Sequence, residues 1–242
     1  MSVAGRLDTL TGEIVATGDL CPADRAQMFE LMHRYYENVN EVAFGRDLGE
    51  KDWVIVARCA ATGGVRGFST QKLIEASAGR RILFSGDTIV EQAYWGRNPI
   101  AEHWGRLAIR LHLQAPEREL LWYLISKGYK TYRLLPTYFA EFHPRFDTPT
   151  PRWALDLLAE LGHARYPGRY DADGGIVRAR PCDERLRPLV APVEGRHRND
   201  PHVRFFERRN PGHAAGDELC CLAPMRPDNL TAAALDLLSG GV

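Results

Sequence analysis

The chain has 242 residues, with 45% apolar and 26% charged residues, enough to bury a full hydrophobic core without disulfide or metal staples. Thirty-one Lys and Arg balance 31 Asp and Glu. This removes any global pull toward nucleic acid or an anionic membrane. No apolar run approaches the roughly 20 residues needed to span a bilayer, and Met1 to Leu10 carry no basic-then-apolar leader pattern. The five cysteines are Cys21, Cys59, Cys182, Cys220 and Cys221, an odd number without CxxC spacing. They argue against a disulfide framework or a zinc site and for a reducing, cytoplasmic setting, each cysteine read first as a small buried hydrophobe.

In chain order, 13–16 is expected to be a short strand. Pro22 then opens one amphipathic helix over roughly 22–39, on Met28, Leu31, Met32, Tyr35 and Val39. The β-branched run 53–57 and the run 65–73 form a hairpin around Gly63–Gly64. A further strand covers 81–90, where Gly86 marks a bulge or a close backbone approach. Asn98 and Pro99 suit the cap and first position of a helix continued by Ile100, Trp104, Leu107, Ala108 and Leu111. The apolar run 120–125 reads as a strand buried on both faces. A short helix is expected over 136–142, stopped by Pro144.

After Asp147 the texture changes. Thr148-Pro-Thr-Pro151 is a linker or sharp turn. Residues 153–161 form a helix ended by Gly162, 176–180 and 219–223 are strands, and 228–238 is a helix begun near Asp228 or Asn229. The segment 204–212 mixes aromatics with arginines. That combination can mark single-stranded nucleic acid binding, but it reads better as a helix covering a core edge, because Glu207, Asp217 and Glu218 dilute its charge.

The chemically informative segment is 81–111. A strand delivers the chain to a tight loop that opens a helix, and the free amides and dipole of that helix end make a seat for phosphate. Gly96 permits close backbone approach, and Arg97 adds a charge-assisted contact. The loop reads Tyr94-Trp95-Gly96-Arg97-Asn98-Pro99-Ile100-Ala101. With the order helix, hairpin, strand, loop, helix, buried strand and short helix, it resembles the phosphate loop of the GNAT acyltransferases over about residues 12–147. Asn98-Pro99 stands where that family usually has its second glycine.

The resemblance implies an α/β (α+β) fold with a GNAT-like mixed, mostly antiparallel central sheet flanked by helices. It implies a core over 1–147 that binds acyl-CoA, and a C-terminal part, 148–242, that completes the sheet and covers the acceptor side. It implies an N-acyltransferase taking an acyl group from acetyl-CoA or another acyl-CoA to the amine of a small molecule. Thr88, Ile89 and Val90 would meet the pantetheine arm, and Trp95, Gly96, Arg97, Asn98, Ile100 and Ala101 the phosphates. Tyr138 would act as acid, with His143 as an alternative acid or base. Glu91 would act as base, and Asp87 has similar standing. Two further readings stand beside this one: transfer of a long chain from the phosphopantetheine of acyl-carrier protein, which the many aromatics over 94–146 would suit, and a non-catalytic thioester-binding fold. A homodimer is compatible with the sequence, and neither a metal, a nucleic acid partner nor a membrane span is expected.

Overall fold

The computed structural model describes residues 8–96, 99–188, 190 and 195–239. Strand β1 (Leu10–Ala16) leads to α1 (Pro22–Tyr35), whose first turn has Pro22 inside it and the Cys21 sulfur accepting the Asp24 amide. Its buried Met28, Leu31, Met32 and Tyr35 keep the helical spacing. The helix stops four residues before the expected end. Residues 36–37 leave it as strand β2 (Tyr36–Glu37), and Asn38 sits at φ 60°. A second helix follows, α2 (Glu41–Gly49), where no helix is expected from the sequence. The Asn40 side chain caps it by accepting the Ala43 amide at 2.9 Å, and only Phe44 and Leu48 are buried. Two buried positions in nine residues, with glycine at 45 and 49, leave too thin a period to read.

Strands β3 (Trp53–Cys59), β4 (Val65–Glu75) and β5 (Arg81–Val90) continue the antiparallel run begun by β1. Helix α3 (Ile100–Gln114) then crosses to β6 (Leu120–Ser126), which pairs with β5 in parallel. The 136–142 helix is corrected to two short ones, α4 (Tyr129–Tyr132) and α5 (Leu134–Tyr138). Phe139 and His143 instead extend to bridge Leu230 and Leu222. Helix α6 (Arg152–Arg165) runs through Gly162 rather than ending before it, and glycine stands there because the Tyr170 ring lies 2.3 Å from where a Cβ would be. Beyond it lie β7 (Tyr170–Asp171), β8 (Ile176–Val177), β9 (Arg185–Leu186) and α7 (Pro201–Arg209). The last elements are β10 (Glu218–Pro224) and α8 (Ala232–Leu238), capped by Thr231 rather than Asp228 or Asn229. The Asn229 side chain is spent holding the Glu141 backbone and the Pro224 carbonyl.

The eight-stranded sheet has the order β1-β3-β4-β5-β6-β10-β8-β7, and β5–β6 is its parallel pair. Strand alternation sorts the core into two layers. Val54, Val56, Phe68 and Ile89 meet α1 and α2, and Ile82, Phe84, Leu121 and Tyr123 meet α6. On the other face Ile55, Ala57 and Leu83 meet α3, while Trp122 and Leu124 meet α4, α5 and α7. In α7, Val203 and Phe206 are buried against this layer, so the aromatic-basic segment is a covering helix.

β10 lies against β6 from Leu219↔Ser126 to Pro224↔Leu121, and its Leu219 and Leu222 are fully buried. Those two side chains contribute about 3–6 kcal/mol of transfer free energy, against a net stability of about 5–15 kcal/mol for a typical domain. A chain cut after Asp147 loses this cover and opens the β6 edge. It is expected to show no cooperative thermal transition by circular dichroism, whereas a melt matching the full chain would make the C-terminal part dispensable.

Candidate active site

β5 and β6 pair only from Arg81↔Leu120 to Ser85↔Leu124. On its other side β5 is irregular: Ser69 faces Thr88, but Gln71 faces Ser85. Two residue steps on β4 thus match three on β5, which is a bulge at 86–87. Gly86 belongs there, because a Cβ on it would lie 2.6 Å from Thr70 Oγ1 and 2.9 Å from Lys51 Cε. The bulge turns 86–90 away from β6 and leaves the β6-facing edge of that segment without a strand partner. The opening is a cleft of about 960 Å³.

A polar chain pins the closed end of the fork. The Ser85 hydroxyl donates to Gln71 Oε1 at 2.7 Å and accepts from the indoles of Trp122 at 2.9 Å and Trp104 at 3.2 Å. The Gln71 amide donates to Ser69 Oγ at 2.7 Å, and Ser69 shares a hydrogen bond with Thr88 Oγ1 at 2.6 Å. The Thr88 side chain is therefore committed, and 88–90 line the cleft, where their backbone groups on the β6-facing edge, the Val90 carbonyl excepted, have no strand partner.

At the open end Trp95 donates its indole N–H to the Val90 carbonyl at 2.8 Å. Gly96 follows at φ 76°, a left-handed conformation suited to glycine. Arg97 and Asn98 lie outside the described residues. Pro99 occupies the cap position, so the expected cap moves one residue and α3 begins at Ile100. Gly96, Ile100 and Ala101 line the cleft. Lys130 stands over the Trp95 ring at 3.4 Å from its centre, within cation–π range, and partial burial lowers its pKa.

The opposite flank is ionic. Asp87 lines the cleft just past the bulge, and its carboxyl is pushed up to about 7. Burial is the largest cause; Asp47 and Glu184 add to it, and Lys127 and Lys51 oppose it. Lys127 pairs with Glu218 at 2.9 Å and lies 5.6 Å from the centre of the Tyr36 ring. Burial works against its charge, but Glu218, Tyr36, Asp87 and Glu184 outweigh this and hold it protonated. Glu184 is raised mainly by burial. It arrives on a strap from the C-terminal part: β9 pairs with β2, Asn38 Nδ2 donates to the Asp183 carbonyl at 3.1 Å, and Arg185 pairs with Glu37 at 2.7 Å. Lys51 is held by the Asp47 carboxylate.

A helix-flanked antiparallel sheet, one parallel pair among the described residues, a bulge that splays that pair and a left-handed glycine just before the next helix now stand together. The fold is GNAT-like. Solved structures with the same likeness include a Trypanosoma brucei acetyltransferase, 14% identical, covering 59% of this chain and 97% of that one at TM-score 0.37. Another is a GNAT family N-acetyltransferase from Escherichia coli in complex with CoA, 16% identical, covering 52% and 68% at TM-score 0.37. A third is an aminoglycoside acetyltransferase from an uncultured soil metagenomic sample in complex with sisomicin, 17% identical, covering 59% and 97% at TM-score 0.39. No protein-family model matches the chain, and neither does any curated protein.

Within this GNAT-like fork, Tyr138 lines the cleft at the end of α5, and burial raises its phenol. The other two expected catalytic groups stand away from it. Glu91 is turned to Arg34 at 2.7 Å and Arg66 at 3.6 Å. His143 is buried in its bridge to Leu222, edge-on to Trp153 at 5.5 Å; burial lowers its pKa, and Glu141 lies 3.5 Å away. Lys127, Lys130, Glu184 and Glu218 join the cleft without being expected there from the sequence. Lys127 alone had a local signal, a charge directly after a continuous apolar strand.

The Asp87 shift has a stability consequence. Between the ordinary 3.8 and about 7 the folded chain holds a proton that the unfolded chain has released. Stability attributable to Asp87 therefore falls as pH rises through that window. Asp87→Asn should gain on the order of 1–2 kcal/mol over the wild type at pH 8, solvent screening included, and nothing at pH 4. Urea unfolding at both pH values measures this, and an equal effect at both would remove ionisation of the partly buried Asp87 carboxylate as its cause.

Proposed function

We propose that this chain is an N-acyltransferase, moving an acyl group from a CoA thioester to the amine of a small molecule by direct attack. The observation that carries the reading is the coincidence in one cleft of the unpaired β5 edge, 86–90, with a carboxyl poised near neutrality, Asp87. The donor side fits a phosphorylated, amide-bearing arm. Backbone groups of 88–90 can pair with such an arm as a strand would. The turn at Gly96 and the first amides of α3, at Ile100 and Ala101, suit its phosphates, with Lys130 supplying charge. Pro99 withholds one amide from this turn, and the Lys130 ammonium offsets that loss.

Asp87 takes the proton of the attacking amine, directly or through one water. A base near pH 7 is efficient because it is both largely ionised and still basic enough to accept. The amine nitrogen bonds to the thioester carbonyl carbon, the carbon–sulfur bond breaks, and the departing sulfur takes its proton from the Tyr138 hydroxyl. Burial keeps that phenol protonated until it is needed. Lys127 faces Asp87 and keeps its pKa from rising further. Glu91 and His143 take no part.

Colorimetric release of CoA thiol, over a panel of primary amines, tests this. Asp87→Ala should lower turnover by about 10²–10⁴-fold while acetyl-CoA still binds. Tyr138→Phe should lower kcat about 10-fold or more with an unchanged melting curve. In the wild type kcat/KM should climb with pH and level off above about 7, as Asp87 ionises. Full turnover in Asp87→Ala would contradict the assignment of the base. Binding of acetyl-CoA without transfer to any amine would favour the non-catalytic reading.

A further inference from the structure

We infer that Trp104 and Trp122, pinned on Ser85, are the gauge that limits the acyl chain to a few carbons. The inference rests on the transferase reading above and names the donor that this fork accepts. β5 and β6 converge at Ser85↔Leu124, and any acyl group seated between the diverging strands meets that end of the cleft. Both indoles line the cleft there and both donate to the one Ser85 oxygen, at 2.9 and 3.2 Å. Their ring centres are 4.5 Å apart. Phe139, fully inside the core, backs them at 5.7 Å from Trp122 and 6.3 Å from Trp104.

Hydrogen bonding to Ser85 at one end and packing on Phe139 at the other hold the two indoles in place. The wall is thus set by rigid rings rather than by flexible side chains. The remaining direction, toward the acceptor flank, runs past Asp87, Lys127 and Glu218, where buried methylenes would displace the solvation of charged groups. A long chain therefore meets the indoles on one course and charged groups on the other.

The test compares kcat/KM for acetyl-, butyryl- and octanoyl-CoA in the wild type, Trp104→Ala and Trp104→Phe, each checked for a cooperative melt. Trp104→Phe keeps an aromatic core contact while removing the indole N–H and part of the volume, so it serves if the alanine variant fails to fold. The wild type should prefer acetyl to octanoyl by about 100-fold, and either folded variant should raise the octanoyl-to-acetyl ratio by about 10-fold or more. Equal use of octanoyl-CoA by the wild type, or a ratio unmoved in a folded variant, overturns the gauge and leaves the transferase reading intact. Turnover of none of the three thioesters overturns both.

Discussion

Between Ser85 and Thr88, β5 spends three residue steps where β4, from Gln71 to Ser69, spends two. That one surplus residue opens the cleft. A sheet in which β5 and β6 stayed paired to their ends would present two buried faces and no opening. The bulge ends their pairing at Ser85↔Leu124, strips 86–90 of a partner on one side, and shifts the side-chain alternation, so that Thr88 falls in line with Ser69 while Ile89 reaches the α1 core. Gly86 makes this feasible because Thr70 and Lys51 already occupy the space a side chain would take.

On the proposed transferase reading, the cleft needs stiffness on the donor side and charge on the acceptor side, and different parts of the chain provide them. Beneath the fork, the chain from the Trp104 and Trp122 indoles through Ser85, Gln71 and Ser69 to Thr88 satisfies each buried polar group it contains. Leaving one of them unmade would cost about 1–3 kcal/mol, so the network holds a single arrangement. Across the fork, β10 and the β9 strap bring Glu218 and Glu184 to Lys127, and the balance of these charges with burial tunes Asp87. The C-terminal part thereby helps complete the electrostatics as well as the sheet.

The sequence was most legible where the signal is local. The strand 81–90, the interruption at Gly86 and the helix through Trp104 and Leu111 all follow from apolar period and one glycine, and the structure has them within a residue or two. It was least legible where a distant contact overrides the local pattern. Helix α1 stops at Tyr35 because 36–37 pair with 185–186. The segment 139–143 is extended because it bridges 230 and 222. Glu91 and Asp87 look equivalent in the chain. They separate only when Arg34 and Arg66 claim the first, while burial and residues 97 positions away shift the second, as Glu184 does. Such coupling leaves no periodicity to read.

On the proposed reading, the unpaired edge of β5 is the donor's docking strand. Backbone hydrogen exchange with and without saturating acetyl-CoA measures this most directly. Protection should rise at the amides of 86–90 and at the first turn of α3, with β1 and β3 unchanged. Exchange at 86–90 that stays the same on the thioester's addition, or protection confined to another part of the sheet, would contradict it.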